Sequence, residues 1–285
     1  MTKKYLGQNF LYDPSIIRRI IEAAELDPED LVVEIGPGPG RLTIMLSEKV
    51  RKVIAIELDE RLYEKLKKEL ADYKNVELIH GDALTYSYED LPNFKVVANI
   101  PYYITTPLMF RLLELKPKYP AVTQRTTEVI PSHLPLVEGR KGNYQSDRKN
   151  LKSMTLTVQK EVAERIIAKP GTKEFGVLSV MIQYFADASL KFVIPRKAFR
   201  PVPKVDSAVI HIKMRKQPLV PVKDENLFSR IIKTAFSQRR KMLSNSLKSM
   251  RTDVKDWLSK AGIDPHRRPE TLSIKEFARL ANTYD

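Results

Sequence analysis

The sequence predicts an α/β fold, a parallel sheet wrapped by helices, with a small all-helical domain at the C-terminal end. Two observations carry that expectation. Short apolar, β-branched runs alternate with amphipathic stretches through the first part of the chain, as strands buried on both faces by crossover helices do. From about Val222 every segment is helix-like and amphipathic. A chain of 285 residues has room for one large domain and one small one, and the change of texture sets the expected boundaries at 1–221 and 222–285.

The elements follow in order. Asp13-Pro14 pairs an N-cap residue with a proline suited to the first helical position, so "SIIRRIIEAAEL" opens as a helix. "LVVEIG" (31–36), "KVIAIEL" (52–58), "NVELIHG" (75–81) and "FKVVANI" (94–100) read as strands, with helical segments such as "DERLYEKLKKELADY" between them. "SMTLTVQ" (153–159) is a further strand, and "KEVAERIIA" the helix after it. "LKFVIP" and "SAVIHIKMR" read as late strands able to pair antiparallel. "ENLFSRIIKTAFSQ", "RRKMLSNSLKSM", "DVKDWLSKAG" and "SIKEFARLANTY" are the helices of the tail. Residues 116–150 hold four prolines and no sustained period, so an exposed excursion is expected there.

Composition narrows the chemistry. The formal charge is +14, and residues 204–285 hold 18 Lys and Arg against 9 Asp and Glu. A basic balance concentrated toward one end fits an acidic partner, above all a nucleic acid. There is no cysteine, which excludes disulfides, thiolate nucleophiles and Cys-based zinc sites. The four histidines show no ligand spacing, so no metal is expected. No apolar run reaches the length of a membrane span, and "MTKKYLGQNF" lacks a signal-peptide core. A cytoplasmic protein without a membrane partner, monomeric, is the expectation.

Two motifs carry the chemistry. In "VVEIGPGPGRLT" the glycines at 36, 38 and 40 follow a strand and precede a helix, where they permit a tight turn and close approach of a ligand. Glu57 ends the next strand, placed to take the hydroxyls of a ribose, and Asp82 in "HGDAL" follows the third, placed near an adenine amino group. Strand-end acids beside a glycine loop fit an adenosine-bearing cofactor, either NAD or S-adenosylmethionine.

The stretch "NIPYYITTP" separates the two. A hydride-transfer enzyme needs a proton-handling group, and no His or Lys stands at a matching strand end. An exocyclic base amine is a weak nucleophile because its lone pair is delocalised into the ring. The Asn99 side-chain oxygen and the Ile100 carbonyl can accept both of its N–H bonds, which favours a more tetrahedral nitrogen. Pro101 stiffens the turn, and Tyr102 offers a stacking face worth about 1–3 kcal/mol.

Together these residues resemble the KsgA family of small-subunit ribosomal RNA adenine dimethyltransferases, relatives of the Erm methylases. The similarity is carried by "YLGQNFLYD", "VEIGPGPGRLT", "AIELD", "GDAL", "NIPYYITTP", "QKEVAERIIAKPGTKEFGVLSV", "AFRPVPKVDSAV", "FSQRRKMLSNSL" and "RPETLSIKEFARLAN", in family order along nearly the whole chain. The resemblance implies a Rossmann-like methyltransferase sheet and S-adenosylmethionine as donor. It implies donor contacts from Gln8, Asn9, Leu11, Gly36, Gly38, Glu57, Leu58, Asp82, Ala83 and Asn99. It implies Asn99, Ile100, Pro101 and Tyr102 as the grip on the target base, with Phe199 as a second aromatic against it, and Arg239, Arg240 and Lys241 on RNA backbone. The implied substrate is a pair of adjacent adenosines in the loop near the 3′ end of small-subunit rRNA, modified on the immature small subunit. The competing reading is a non-catalytic RNA-binding or assembly protein that keeps the fold. Residues 116–150 depart from the family pattern as an insertion in a short link.

Overall fold

The computed structural model describes residues 9–115 and 151–284. The excursion expected at 116–150, and Gln8, lie outside the described residues. The chain runs β1 (Phe10–Leu11), α1 (Pro14–Ala23), β2 (Leu31–Ile35), α2 (Arg41–Ser47), β3 (Lys52–Glu57), α3 (Glu60–Glu69), β4 (Val76–His80), β5 (Phe94–Asn99) and α4 (Thr105–Leu113). It continues through β6 (Leu151–Gln159), α5 (Lys160–Ile167), α6 (Val177–Phe185), β7 (Ala186–Ile194), β8 (Phe199–Arg200) and β9 (Ser207–Met214). The tail holds α7 (Glu225–Ser237), α8 (Leu243–Ser246), α9 (Val254–Lys260) and α10 (Ile274–Asn282).

Seven strands form one sheet in the order β4-β3-β2-β5-β6-β9-β7. β4, β3, β2, β5 and β6 pair in parallel, and β9 runs antiparallel to both β6 and β7. The direction of winding reverses between β3 and β5, on either side of β2. In open α/β sheets that switch point, at the carboxyl ends of the strands, is where ligands bind.

Alternation along each strand explains why both faces are covered. Leu31, Val33 and Ile35 of β2, with Val96 and Ala98 of β5, belong to a buried cluster that also takes in α4, α5, α6 and the tail. Val32, Val53, Val97 and Val209 point the other way, into a smaller cluster with Ile17 and Ile20 of α1 and Leu42 and Leu46 of α2. The tail shares the first of these cores: the Tyr184 ring of α6 lies 4.6 Å from the Phe228 ring of α7, and Phe228, Trp257 and Phe277 are all fully buried. Burying side chains of this size contributes about 1.5–3 kcal/mol each, which is what docks the tail against α6.

Local signals set the helix ends. Asp13 accepts from the Ser15 amide at 2.8 Å with Pro14 at the first position of α1, and Asp59 and Asp224 cap α3 and α7 in the same way. Ser273 and Glu276 form a reciprocal capping box on α10.

Four elements differ from expectation. α6, "VLSVMIQYF", was not anticipated because it is buried almost all round and so shows no polar face to mark a helical period. β1 and β8 pair over two residues each, too few for any period to register. "RRKMLSNSLKSM" is helical only over Leu243–Ser246, where Ser and Asn compete with the backbone for hydrogen bonds.

Candidate active site

The first strand of the sheet core, β2, ends at Ile35, and the chain turns through Gly36, Gly38 and Gly40 at φ +68°, +57° and +78°. Side chains rarely adopt such angles, and at Gly38 and Gly40 space is short as well. A Cβ on Gly38 would sit 2.7 Å from the Phe10 ring, and one on Gly40 2.6 Å from Leu66 Cδ2. Gly36 donates to the Ile56 carbonyl at 3.0 Å, which ties the turn to β3.

Glu57, at the end of β3, is 3% exposed. Its Oε2 accepts from the Gly38 amide at 3.2 Å and its Oε1 from the Asp59 amide at 2.8 Å. The carboxylate is therefore fixed in orientation by the glycine turn itself. Burial pushes its pKa up, and those two amides pull it back down. Asp82 accepts from the Leu84 amide at 2.8 Å, and the Ala83 carbonyl accepts from the Tyr88 hydroxyl at 2.8 Å. That turn is held rigid beside the same cavity.

Asn99 ends β5. Its Nδ2 donates to the Asn9 carbonyl at 3.0 Å, so the amide is oriented with its oxygen free to accept from elsewhere. The Ile100 amide bonds the Thr157 carbonyl at 3.3 Å. The Pro101 carbonyl accepts from the Ile104 amide at 3.1 Å, closing a 3-10 turn over Tyr102–Ile104. Tyr102 is half-buried and its hydroxyl meets Ser207 Oγ at 2.7 Å; burial raises its pKa. A Cβ on Gly36 would touch Pro101 Cδ at 3.5 Å. The glycine turn and the Asn99–Tyr102 turn thus lie close together, with room between them for little more than one methyl group.

One cavity collects these groups. Asn9, Leu11, Gly36, Gly38, Glu57, Leu58, Asp82, Ala83, Asn99, Ile100, Pro101 and Tyr102 all line it. Phe199 does not: it is fully buried in the core with Leu11 and Ile17, its backbone paired to Leu11. The structure thus places Phe199, expected as an aromatic facing the target base, in the core and off the cavity lining. An apolar side chain on a strand held under β1 finds more partners in the core than at the surface. Arg239, Arg240 and Lys241 stand apart from the cavity. The Arg239 guanidinium donates to the Lys173 carbonyl and, at 3.5 Å, to that of Thr172, while Arg240 and Lys241 are exposed.

Four residues of the site escaped sequence reasoning. Phe10 and Tyr103 line the cavity, Tyr103 being 53% exposed, and Ser207 holds Tyr102. The fourth is Glu34 of β2, 1% exposed and lining the cavity floor, where Oε2 is buried without a hydrogen-bond partner. Burial pushes its pKa to about 8, helped by the nearby charge of Glu57. An acid in an otherwise apolar strand two residues before Gly36 was the signal available.

These observations test whether S-adenosylmethionine fits. A turn of three glycines at positive φ allows close approach of a ligand to the backbone, an oriented carboxylate suits ribose hydroxyls, and a buried carboxyl oxygen without a partner suits a cationic ligand. All three are present on one wall. Among the described residues no cluster of three or more His, Asp or Glu is arranged to hold a metal ion.

The chain matches the family model described as ribosomal RNA adenine dimethylase over residues 1–285. It is 40% identical over 295 residues to a ribosomal RNA small subunit methyltransferase A of Geobacillus sp. (strain WCH70), covering 98% of this chain and 90% of the relative. A protein of the same name from Caldanaerobacter subterraneus is 41% identical, with 98% and 96% covered. Among solved structures, a dimethyladenosine transferase from Plasmodium falciparum aligns with TM-score 0.70 and 26% identity over 95% of both chains. The 23S rRNA methyltransferase ErmE aligns with TM-score 0.66 and 27% identity, over 96% of this chain and 99% of ErmE. With the full-length family match, the glycine turn and the Asn99–Tyr102 turn in place, the chain belongs to the ribosomal RNA adenine dimethylase family.

Proposed function

We propose that this protein is an S-adenosylmethionine-dependent rRNA adenine-N6,N6-dimethyltransferase acting on two adjacent adenosines near the 3′ end of small-subunit rRNA. The observation that carries the reading is that the glycine turn at Gly36 and the rigid turn at Pro101 line one cavity, which supports a donor site and a base site side by side. The donor, when bound, supplies an electrophilic methyl carbon on a sulfonium. Family membership and the small-subunit names of the 40% identical relatives support the choice of RNA.

Asn99 Oδ1 and the Ile100 carbonyl accept the two N–H bonds of the target amine and hold its lone pair out of the ring plane. Tyr102 presents its face to the base. With the donor bound, each methyl transfer would leave the amine cationic and one proton would pass to solvent; in the second transfer a single N–H would remain for one of the two acceptors. Glu57 takes the ribose hydroxyls, Asp82 and Ala83 border the adenine of the donor, and Gly36, Gly38, Asn9, Leu11 and Leu58 enclose it. Loop adenosines are already partly unstacked, so extruding one costs less than from a duplex.

Residues 222–285 act as a helical RNA-binding unit, in which the exposed Arg240 and Lys241, with Arg239, hold phosphates. The protein works as a cytoplasmic monomer on the immature small subunit, coupling methylation to late assembly. The test is transfer of labelled methyl from donor to unmodified small subunits. Incorporation into small-subunit rRNA is the expected result; no incorporation would leave the non-catalytic reading.

A further inference from the structure

We infer that Ser207 is a positioning residue for the target base, acting through Tyr102. The inference rests on the reading of Tyr102 as the platform for the base and deepens it.

Ser207 opens β9 and is fully buried. It is flanked on both sides, by Gln159 of β6 and by Ile194 of β7, so its backbone is held by two ladders at once. The residue before it is tied down as well. The Asp206 carbonyl accepts from the Lys160 amide at 3.0 Å, and the Asp206 carboxylate accepts from the Arg196 amide at 2.9 Å. Ser207 Oγ is thus among the most constrained polar atoms near the cavity.

Tyr102 stands in the opposite situation. It lies in a single 3-10 turn after Pro101, half-buried, and its neighbour Tyr103 is more than half exposed. A ring on such a short turn swings about its first two side-chain torsions unless something holds its far end. The 2.7 Å contact with Ser207 is the hydrogen bond that Tyr102's side chain makes in the described structure. It links a ring on a short turn to a strand 105 residues away in sequence.

Two consequences distinguish this arrangement from ordinary packing. The ring plane is set before RNA arrives, so stacking does not have to be accompanied by loss of rotamer freedom. The hydroxyl is occupied by Ser207, so Tyr102 acts through its face and takes no part in proton transfer.

A double-mutant cycle tests the inference in the full-length protein, with RNA methyl incorporation, donor calorimetry and thermal denaturation read on each variant. Tyr102→Phe and Ser207→Ala each remove the same hydrogen bond from opposite ends, and each is expected to lower kcat/KM for RNA by about fivefold. The double variant is expected to be no worse than either single one, because only one bond is lost. Donor affinity should stay within about twofold of wild type, and the pH profile of Tyr102→Phe should keep its shape. Multiplicative losses in the double variant, or full activity in Tyr102→Phe, would overturn the positioning role. A limb missing from the Tyr102→Phe pH profile would instead assign the hydroxyl to proton transfer and equally overturn it. Absence of methylation in the wild type would reject the underlying functional reading and is distinguishable from all of these. If Ser207→Ala does not fold, the Tyr102→Phe result with its intact ring decides alone.

Discussion

The Asn99 side-chain amide donates to the backbone carbonyl of Asn9 at 3.0 Å. A strand-end residue of the sheet is thereby oriented by the segment that leads into β1, 90 residues earlier. The bond fixes which end of the amide faces the cavity: the nitrogen is committed to Asn9, and the oxygen remains to accept.

Asn99→Asp follows directly. It keeps an acceptor oxygen but loses the donor, and a carboxylate oxygen would then face the Asn9 carbonyl. Methyl transfer is expected to fall about a hundredfold, on the scale seen when a single preorganised polar group is lost, with donor affinity little changed. Single-turnover methylation alongside calorimetry checks it. An Asp variant within a few-fold of wild type would show that the Asn9 bond does not orient the amide.

Gly38 and Gly262 make a matched pair. Both have positive φ, +57° and +66°, yet a Cβ at 38 meets the Phe10 ring at 2.7 Å while one at 262 meets nothing within 4 Å. Gly262→Ala should cost only the left-handed backbone penalty, about 1–2 kcal/mol, and leave donor affinity alone. Gly38→Ala should also displace Phe10 and weaken donor binding by at least about tenfold, or 1.4 kcal/mol. Thermal denaturation and calorimetry on both variants separate the two effects, and equal donor affinity would remove the glycine turn from the donor site.

Glu34 gives stability a distinctive pH dependence. Its native pKa, raised by burial to about 8, exceeds the ordinary 4.5 of the unfolded chain. The native state therefore binds more protons between those values, and stability falls as pH rises through that window. The penalty is absent below about pH 4.5 and complete above about pH 8. Glu34→Gln removes it, so the variant should gain melting temperature over wild type progressively from about pH 5 to about pH 8. A cationic donor favours the ionised form, so donor binding should release protons in the same range. Parallel melting curves for the two proteins across that range would contradict this assignment of Glu34.

How much of this was legible in the sequence depended on whether the signal was local. The strands β2, β3, β5 and β6 read clearly because both their faces are buried, and the cap at Asp13 is short-range chemistry. The glycine turn, Glu57, Asp82 and Asn99 also read from strand-end position alone, and the structure gathers them in one cavity. What did not read were relations across long separations. Ser207 is invisible as a partner of Tyr102 until β9 is placed beside β6, and the site role of Phe199 came from the family resemblance alone, while β8 is seen pinned to β1 in the core. Glu34 had a signal, an acid in an apolar strand, but its burial and its unpartnered oxygen exist only in the folded chain.

If the basic tail holds RNA as proposed, it sets the response of binding to salt. Arg240 and Lys241 are exposed, and each phosphate contact they make should add about 0.7–0.9 to the slope of log affinity against log salt. Arg240→Ala and Lys241→Ala should each flatten that slope by about this amount in a filter-binding titration with small-subunit RNA. Slopes identical to wild type in both would take these residues off the RNA.

The central claim is that the Asn99–Ile100 acceptors make an exocyclic adenine amine reactive toward the donor methyl. Mass-spectrometric mapping of methylated adenosines on unmodified small subunits, treated in parallel with wild type and with Asn99→Ala, tests it most directly. The wild type should yield N6,N6-dimethyladenosine at two neighbouring positions, and Asn99→Ala, still binding donor by calorimetry, should yield almost none. A near wild-type yield from Asn99→Ala, or methyl groups on any atom other than the exocyclic nitrogen, would contradict it.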